Sequence, residues 1–164
     1  MRFSEFVCRE AVKTGLPATD RDGVIACLVD ALVEAGAVSA EQRDSVVAAT
    51  IGREELGTTG IGSGVAIPHS KHPAVDRVVA TVGISSEGID FGSLDSRPTS
   101  VFFLLISPPD APQDHLKALE TVSRNLQDEM FRQFLAQAQT PEAVTDVLDE
   151  ADLLHPTESG NQQA

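Results

Sequence analysis

The run TSVFFLLIS at 99–107 constrains this chain more than any other feature. It carries no charge and is apolar at nearly every position, rich in β-branched and aromatic residues. A stretch so uniform reads as a central strand buried on both faces, because a half-buried strand would alternate. It ends at Pro108 and Pro109, which cannot continue a ladder. A strand covered on both faces needs a layer of helices on each, and the flanking sequence supplies them. Residues 18–36, ATDRDGVIACLVDALVEAG, place Val24, Cys27, Leu28, Ala31 and Leu32 at helical spacing, with Thr19 or Asp20 as cap and Gly36 at the end. A second helix follows over 39–56, where Ser39 and Gln42 have the spacing of a capping box. Beyond the strand, Leu116, Leu119, Val122, Ser123 and Leu126 form one helical stripe. Residues 128–139 form another helix, and Thr140 caps a last one with Pro141 at its first position.

Between these helical blocks the period changes. GTTGIGSG is a turn-forming tract, VAIP a short apolar strand stopped by Pro68, and DRVVATVGIS a β-branched strand. SEGIDFGSLDSRP reads as a loop or hairpin, and the first residues as an extended start. The pattern predicts one three-layer α/β domain over 1–152, its central sheet flanked by helices on both faces. A polar tail at 153–164 is expected to be disordered.

At 164 residues the chain suits a single domain. No apolar run approaches the ~20 residues of a membrane span, and Ser4, Glu5, Arg9 and Glu10 interrupt the N-terminus where a secretory signal would need an apolar block. A cytoplasmic protein without membrane insertion is expected. Cys8 and Cys27 form no CxxC pair, which indicates neither a redox motif nor a zinc cage. The formal net charge is −13, and there is no Trp or Tyr. Without a basic stripe and interleaved aromatics, nucleic-acid binding is disfavoured. The acidic balance is read as solubility, adaptation to a salty interior, or attraction for a basic protein partner.

The chemistry is concentrated in GREELGTTGIGSGVAIPHSKHP at 52–73. Gly60, Gly62 and Gly64 precede a strand rather than opening a helix, and no Lys-Ser or Lys-Thr follows them. Dinucleotide and ATP-binding loops are therefore excluded. What remains is backbone that needs positive φ or close approach, to a ligand or to another loop. His69 and His72 make a poor metal pair, since Pro68 and Pro73 oppose a helix and no acidic or cysteine ligand lies close in sequence. No metal and no cofactor is expected. His115 stands in the first turn of a helix, where the macrodipole disfavours its protonated form, and His155 lies in the tail. A glycine-rich approach, a proline-stopped strand, an exposed imidazole and an upstream arginine together suit a phosphoryl group. Neutral imidazole is a nucleophile near neutral pH without a separate base.

The order of REELGTTGIGSGVAIPH resembles the active-site signature of the type 2 enzyme IIA domains of the bacterial phosphotransferase system, which include fructose- and mannitol-type domains and nitrogen-related regulatory proteins. HLKALETVSRNL is similar to the family's second-histidine helix, and the resemblance spans about residues 3 to 150. It implies a mixed, parallel and antiparallel sheet of about five strands. It also implies that His69 takes a phosphoryl group from the phosphocarrier HPr and passes it to a cysteine of enzyme IIB. His115 would then bond or orient the phosphate, and Arg53 would offset its charge. Thr59, Gly60, Gly62, Gly64, Pro68 and Ser70 would support the site. Ser70 stands where the family often has glycine or alanine, and His72 adds a second imidazole that competes as the labelled ring. Neither cysteine lies in a IIB-like loop, so the acceptor is expected on another chain, or there is none. A regulatory IIA whose phosphorylation changes its protein partners is the reading preferred over a sugar-transport component. A phosphate-independent binding module on the same fold is the third.

Overall fold

The structure, a computed structural model, describes residues 1–154. The elements in chain order are α1 (Phe3–Phe6), β1 (Lys13–Thr14), α2 (Arg21–Glu34), α3 (Arg43–Leu56), β2 (Gly60–Gly62), β3 (Val65–Ala66), β4 (His69–Lys71), β5 (Val79–Ile89), β6 (Thr99–Ser107), α4 (Pro112–Leu126), α5 (Glu129–Gln137) and α6 (Pro141–Leu154). The sheet runs β1-β5-β6-β3-β2, with β4 also paired to β6. It is mixed: β1 is parallel to β5, β5 antiparallel to β6, β3 and β4 parallel to β6, and β2 antiparallel to β3.

The apolar run at 99–107 is β6, at the centre as expected. Its side chains alternate between two cores. Val101, Phe103 and Leu105 join Phe3, Phe6, Val122, Leu126 and Leu135 on one face. Phe102, Leu104 and Ile106 join Ile25, Leu28, Leu32 and Val46 on the other. Each face of β6 is thus sealed by its own helical layer, α1 with α4–α6 or α2 with α3. Burial of so much apolar surface is the main driving force for the fold.

The helix starts show which local signals prevailed. Asp20 Oδ1 accepts from the Gly23 N–H at 2.7 Å, and Thr140 Oγ1 accepts from the Ala143 N–H at 3.1 Å, so both expected caps form. The capping box at Ser39 does not. Its side chain makes no cap bond, and a 3₁₀ turn at Ala40–Gln42 leads into α3 at Arg43 instead. The start of the chain is not extended, because Phe3 and Phe6 wind into α1 to place both rings in the core. In α4 the buried face is His115, Ala118, Thr121, Val122, Asn125 and Leu126, while Leu116 is exposed. The helix is therefore rotated so that its imidazole faces inward and Leu116 outward, while Val122 and Leu126 of the stripe read from the sequence stay buried. Helix α6 continues through Leu154, two residues into the expected tail, and residues 155–164, His155 among them, lie outside the described residues.

Pro68 interrupts a strand and does not end it. β3 pairs Val65 with Val101 and Ala66 with Phe102, and β4 resumes with His69 opposite Leu105, Ser70 opposite Ile106 and Lys71 opposite Ser107. The register is unbroken, and the Leu105 N–H still donates to the Pro68 carbonyl at 3.0 Å. Only the missing proline N–H leaves a gap in the ladder.

Candidate active site

Continuity of β3 and β4 decides which way each motif residue points, since side chains alternate along a strand. Val65 and Ile67 belong to the core beneath α4, and His69 follows them onto that face. Its ring centroid lies 5.5 Å from that of His115, with the planes inclined at 55°. His69 Nδ1 is 2.7 Å from the Ile67 carbonyl, which can only accept, so Nδ1 carries the proton and donates. The Ile67 N–H in turn donates back to the Thr59 carbonyl at 3.1 Å. In the neutral ring Nε2 is left with its lone pair. Burial, the largest influence, holds the His69 pKa below its ordinary 6.5, with Arg53 and Lys71 acting the same way and the Ile67 bond and Glu54 opposing.

His115 is buried in the first part of α4, which starts at Pro112. Its Nδ1 lies 2.5 Å from Ser107 Oγ at the end of β6. Burial first, then the charges of His69 and Lys71, push its pKa down to about 4. Both imidazoles are therefore neutral at pH 7. Arg53, in the last turn of α3, anchors its guanidinium by an Nη1 bond to the Gly57 carbonyl at 2.9 Å. Two neutral rings, with cationic Arg53 and Lys71 near enough to bias His69, can hold a compact dianion.

Residues 5–151 match the family profile described as phosphoenolpyruvate-dependent sugar phosphotransferase system, EIIA 2. The chain belongs to the type 2 EIIA family. A fructose-specific EIIA component of the phosphotransferase system from Haloferax volcanii is 37% identical over 141 residues, 86% of this chain and 90% of that one. A nitrogen regulatory protein from Bradyrhizobium diazoefficiens is 33% identical over 148 residues, 90% of this chain and 95% of that one. The crystal structure of the nitrogen regulatory protein IIA-Ntr from Neisseria meningitidis superposes with a TM-score of 0.80 at 25% identity, covering 89% of this chain and 98% of that one.

In this EIIA the expected residues separate into two groups. The rings of His69 and His115 lie side by side, and the charge of Arg53 acts on His69. Ser70 and His72 are turned to the opposite face, against α3. Ser70 Oγ is 2.9 Å from Thr50 Oγ1, and His72 Nε2 is 2.7 Å from Ser45 Oγ while its Nδ1 accepts from the Ala74 N–H at 2.9 Å. Both are buried. The chain trace thus removes Ser70 from contact with His69's ligand side and gives His72 a full set of partners.

The glycines approach a loop. A Cβ on Gly60 would sit 2.4 Å from Ser93 Oγ and 3.0 Å from Ser93 Cα, and the Leu94 N–H donates to the Gly60 carbonyl at 3.2 Å. Gly62 (φ +94°), Ser63 (φ 58°) and Gly64 (φ +79°) turn the chain between β2 and β3, with the Ser63 N–H held by Asp95 at 2.9 Å. Of the pair of possibilities left open by the sequence, these positions meet the 90–98 loop.

Three residues of the site escaped the sequence reading. Buried Glu54 accepts from the Thr59 N–H at 2.7 Å and its hydroxyl at 2.6 Å, fixing the strand entry beside Arg53. Its signal was the spacing Val46, Thr50, Glu54, a single buried stripe on α3. Lys71 lies two residues from His69 and so on its face, a relation that only pairing of β4 with β6 beyond Pro68 reveals. Ser107 ends the apolar run of β6, and no motif marks it. Among the described residues no group of three or more His, Cys, Asp or Glu gathers as a metal cage, and no helix is long and apolar enough to cross a membrane.

Proposed function

We propose that the chain is a phosphocarrier in which His69 Nε2 accepts a phosphoryl group from an HPr-like protein. One observation carries this reading: the bond from His69 Nδ1 to the Ile67 carbonyl leaves Nε2 unprotonated, in a ring whose centroid lies 5.5 Å from that of His115. In the transfer an Nε2–P bond forms from that lone pair while the bond from phosphorus to the donor breaks, its electrons leaving with the donor. No proton has to be removed from His69 first, which dispenses with a general base. The Ile67 carbonyl then stabilises the positive character that the ring acquires. Arg53 and Lys71 offset the phosphoryl charge, and catalysis rests on positioning and electrostatics. The cysteines are poor internal acceptors: burial raises the pKa of both Cys8 and Cys27 above the ordinary thiol value, so neither is a thiolate near neutral pH. This supports an onward acceptor on a partner, if the group is passed on at all.

Two roles follow from the relatives. The overlay on IIA-Ntr favours a regulatory carrier whose phosphorylation changes its protein partners. The 37% identity to a fructose-specific EIIA favours relay to a IIB cysteine. Incubation with phosphoenolpyruvate, enzyme I and HPr, following acid-labile phosphate, tests the shared step. Labelling is expected in the wild type and in His72→Ala, and absent in His69→Ala. Labelling retained in His69→Ala, or none in the wild type, overturns the reading. A chase with fructose-type IIB then separates the roles, because only the transport component loses its label to IIB.

A further inference from the structure

Ser107 is fully buried, and its hydroxyl has a single hydrogen-bond partner among the described residues, His115 Nδ1. A hydroxyl must place one proton as well as offer lone pairs. If Nδ1 carried the ring proton and donated to Ser107, the hydroxyl proton would be buried with no acceptor, which costs a large part of its hydration. The arrangement that satisfies both groups has Ser107 donating to an unprotonated Nδ1. His115 is then held with its proton on Nε2. This is the opposite tautomer to His69, whose Nδ1 proton is fixed by the Ile67 carbonyl.

The two facing rings are therefore unequal. One offers a lone pair at Nε2, and the other offers an N–H. We propose that Ser107 is a positioning residue that decides which of the two histidines takes the phosphoryl group, by locking His115 as a hydrogen-bond donor without a nucleophilic Nε2. The proposal rests on the reading of His69 as acceptor. It adds that His115 is kept from competing by a hydroxyl on β6, and that the N–H so created bonds a phosphoryl oxygen on His69. Loss of the hydroxyl leaves His115 free to move its proton to Nδ1, exposing a second Nε2 lone pair that can form its own N–P bond as the donor's bond to phosphorus breaks.

The test uses the full chain and inorganic phosphoramidate, a small donor that phosphorylates imidazole nitrogen without a docking protein, alongside HPr. Imidazole ¹⁵N shifts of the wild type should show His115 Nδ1 unprotonated and Nε2 protonated at pH 7. His69→Ala should be labelled only slowly by phosphoramidate at His115, whereas His69→Ala with Ser107→Ala should be labelled there at least about fivefold faster, the equivalent of one neutral hydrogen bond. In Ser107→Ala alone, labelling from HPr should divide between the two rings, with the maximal rate at His69 reduced and the half-saturating HPr concentration unchanged. Protonated Nδ1 in the wild type overturns the proposal without any variant. Label confined to His69 in Ser107→Ala, with no gain at His115 in the double variant, overturns it too. A wild type that HPr fails to label sinks the phosphocarrier reading, yet the ¹⁵N shifts and the phosphoramidate comparison still decide the role of Ser107.

Discussion

Removing the Glu54 carboxylate is the sharpest stability test of this architecture. Glu54 is 3% exposed and Thr59 6% exposed, so neither end of their interaction is rescued by solvent. Glu54→Ala strands two donors, the Thr59 N–H and hydroxyl, that now reach the carboxylate at 2.7 and 2.6 Å. A buried donor left without a partner costs roughly 1–3 kcal/mol. Two such losses, offset by no longer burying a carboxylate, give an expected destabilisation of about 2–4 kcal/mol. For a chain of this size that is roughly 4–16 °C in melting temperature. Glu54→Gln keeps one acceptor oxygen and should lose about half as much. Urea unfolding is the assay, read at constant m so that a shift in midpoint means a change in stability. Because Thr59 leads into β2, the variant should also label more slowly at His69. A change in Glu54→Ala below about 0.5 kcal/mol, the scale of an ordinary surface substitution, would refute the reasoning.

Gly60→Ala should destabilise by about 1–3 kcal/mol, because its Cβ meets Ser93 Cα as well as the hydroxyl. Adding Ser93→Ala removes only the hydroxyl clash, so thermal melting of the double variant should recover partly at most. Asp20→Ala should cost about 1 kcal/mol through the lost bond to the Gly23 N–H, while Ser39→Ala should be near neutral because Ser39 caps nothing. The two differ by more than the error of a chemical melt. The pKa values of His69 and His115 fall on folding, so the unfolded chain binds more protons at these two rings in acid. Their stabilising effect is complete above the unfolded value of 6.5 and diminishes as pH falls, for His115 down to about 4. The acid side of the stability profile should therefore flatten in His115→Asn, and the labelling midpoint of the wild type should lie below pH 6.5.

The layered fold was legible because β6 leaves no polar alternation and the helical periods beside it are clear. Asp20 and Thr140 were readable as caps because their bonds are local. Ser39 had the same local signature, but a 3₁₀ turn met the need instead, a choice that tertiary packing makes. Leu116 and His115 show the limit more directly. Apolar spacing favoured burying the leucine, and the fold turned the imidazole inward. At the candidate site, the motif named His69, His115 and Arg53, whereas the Glu54–Thr59 and Ser107–His115 contacts depend on side-chain pairing that spacing alone does not reveal. Ser70 and His72 were misplaced for one reason. A proline within a strand reads as its end, and only pairing to β6 reveals that alternation carries through it.

That alternation has a consequence for any preparation of the protein. A slip of one residue between β4 and β6 would present Ser70 where His69 stands, exchanging an imidazole for a hydroxyl while leaving helix content almost untouched. Circular dichroism would not notice such molecules. On the phosphocarrier reading proposed above, phosphate incorporated per chain would, and the stoichiometry of labelling would count the fraction of chains whose strands are correctly aligned.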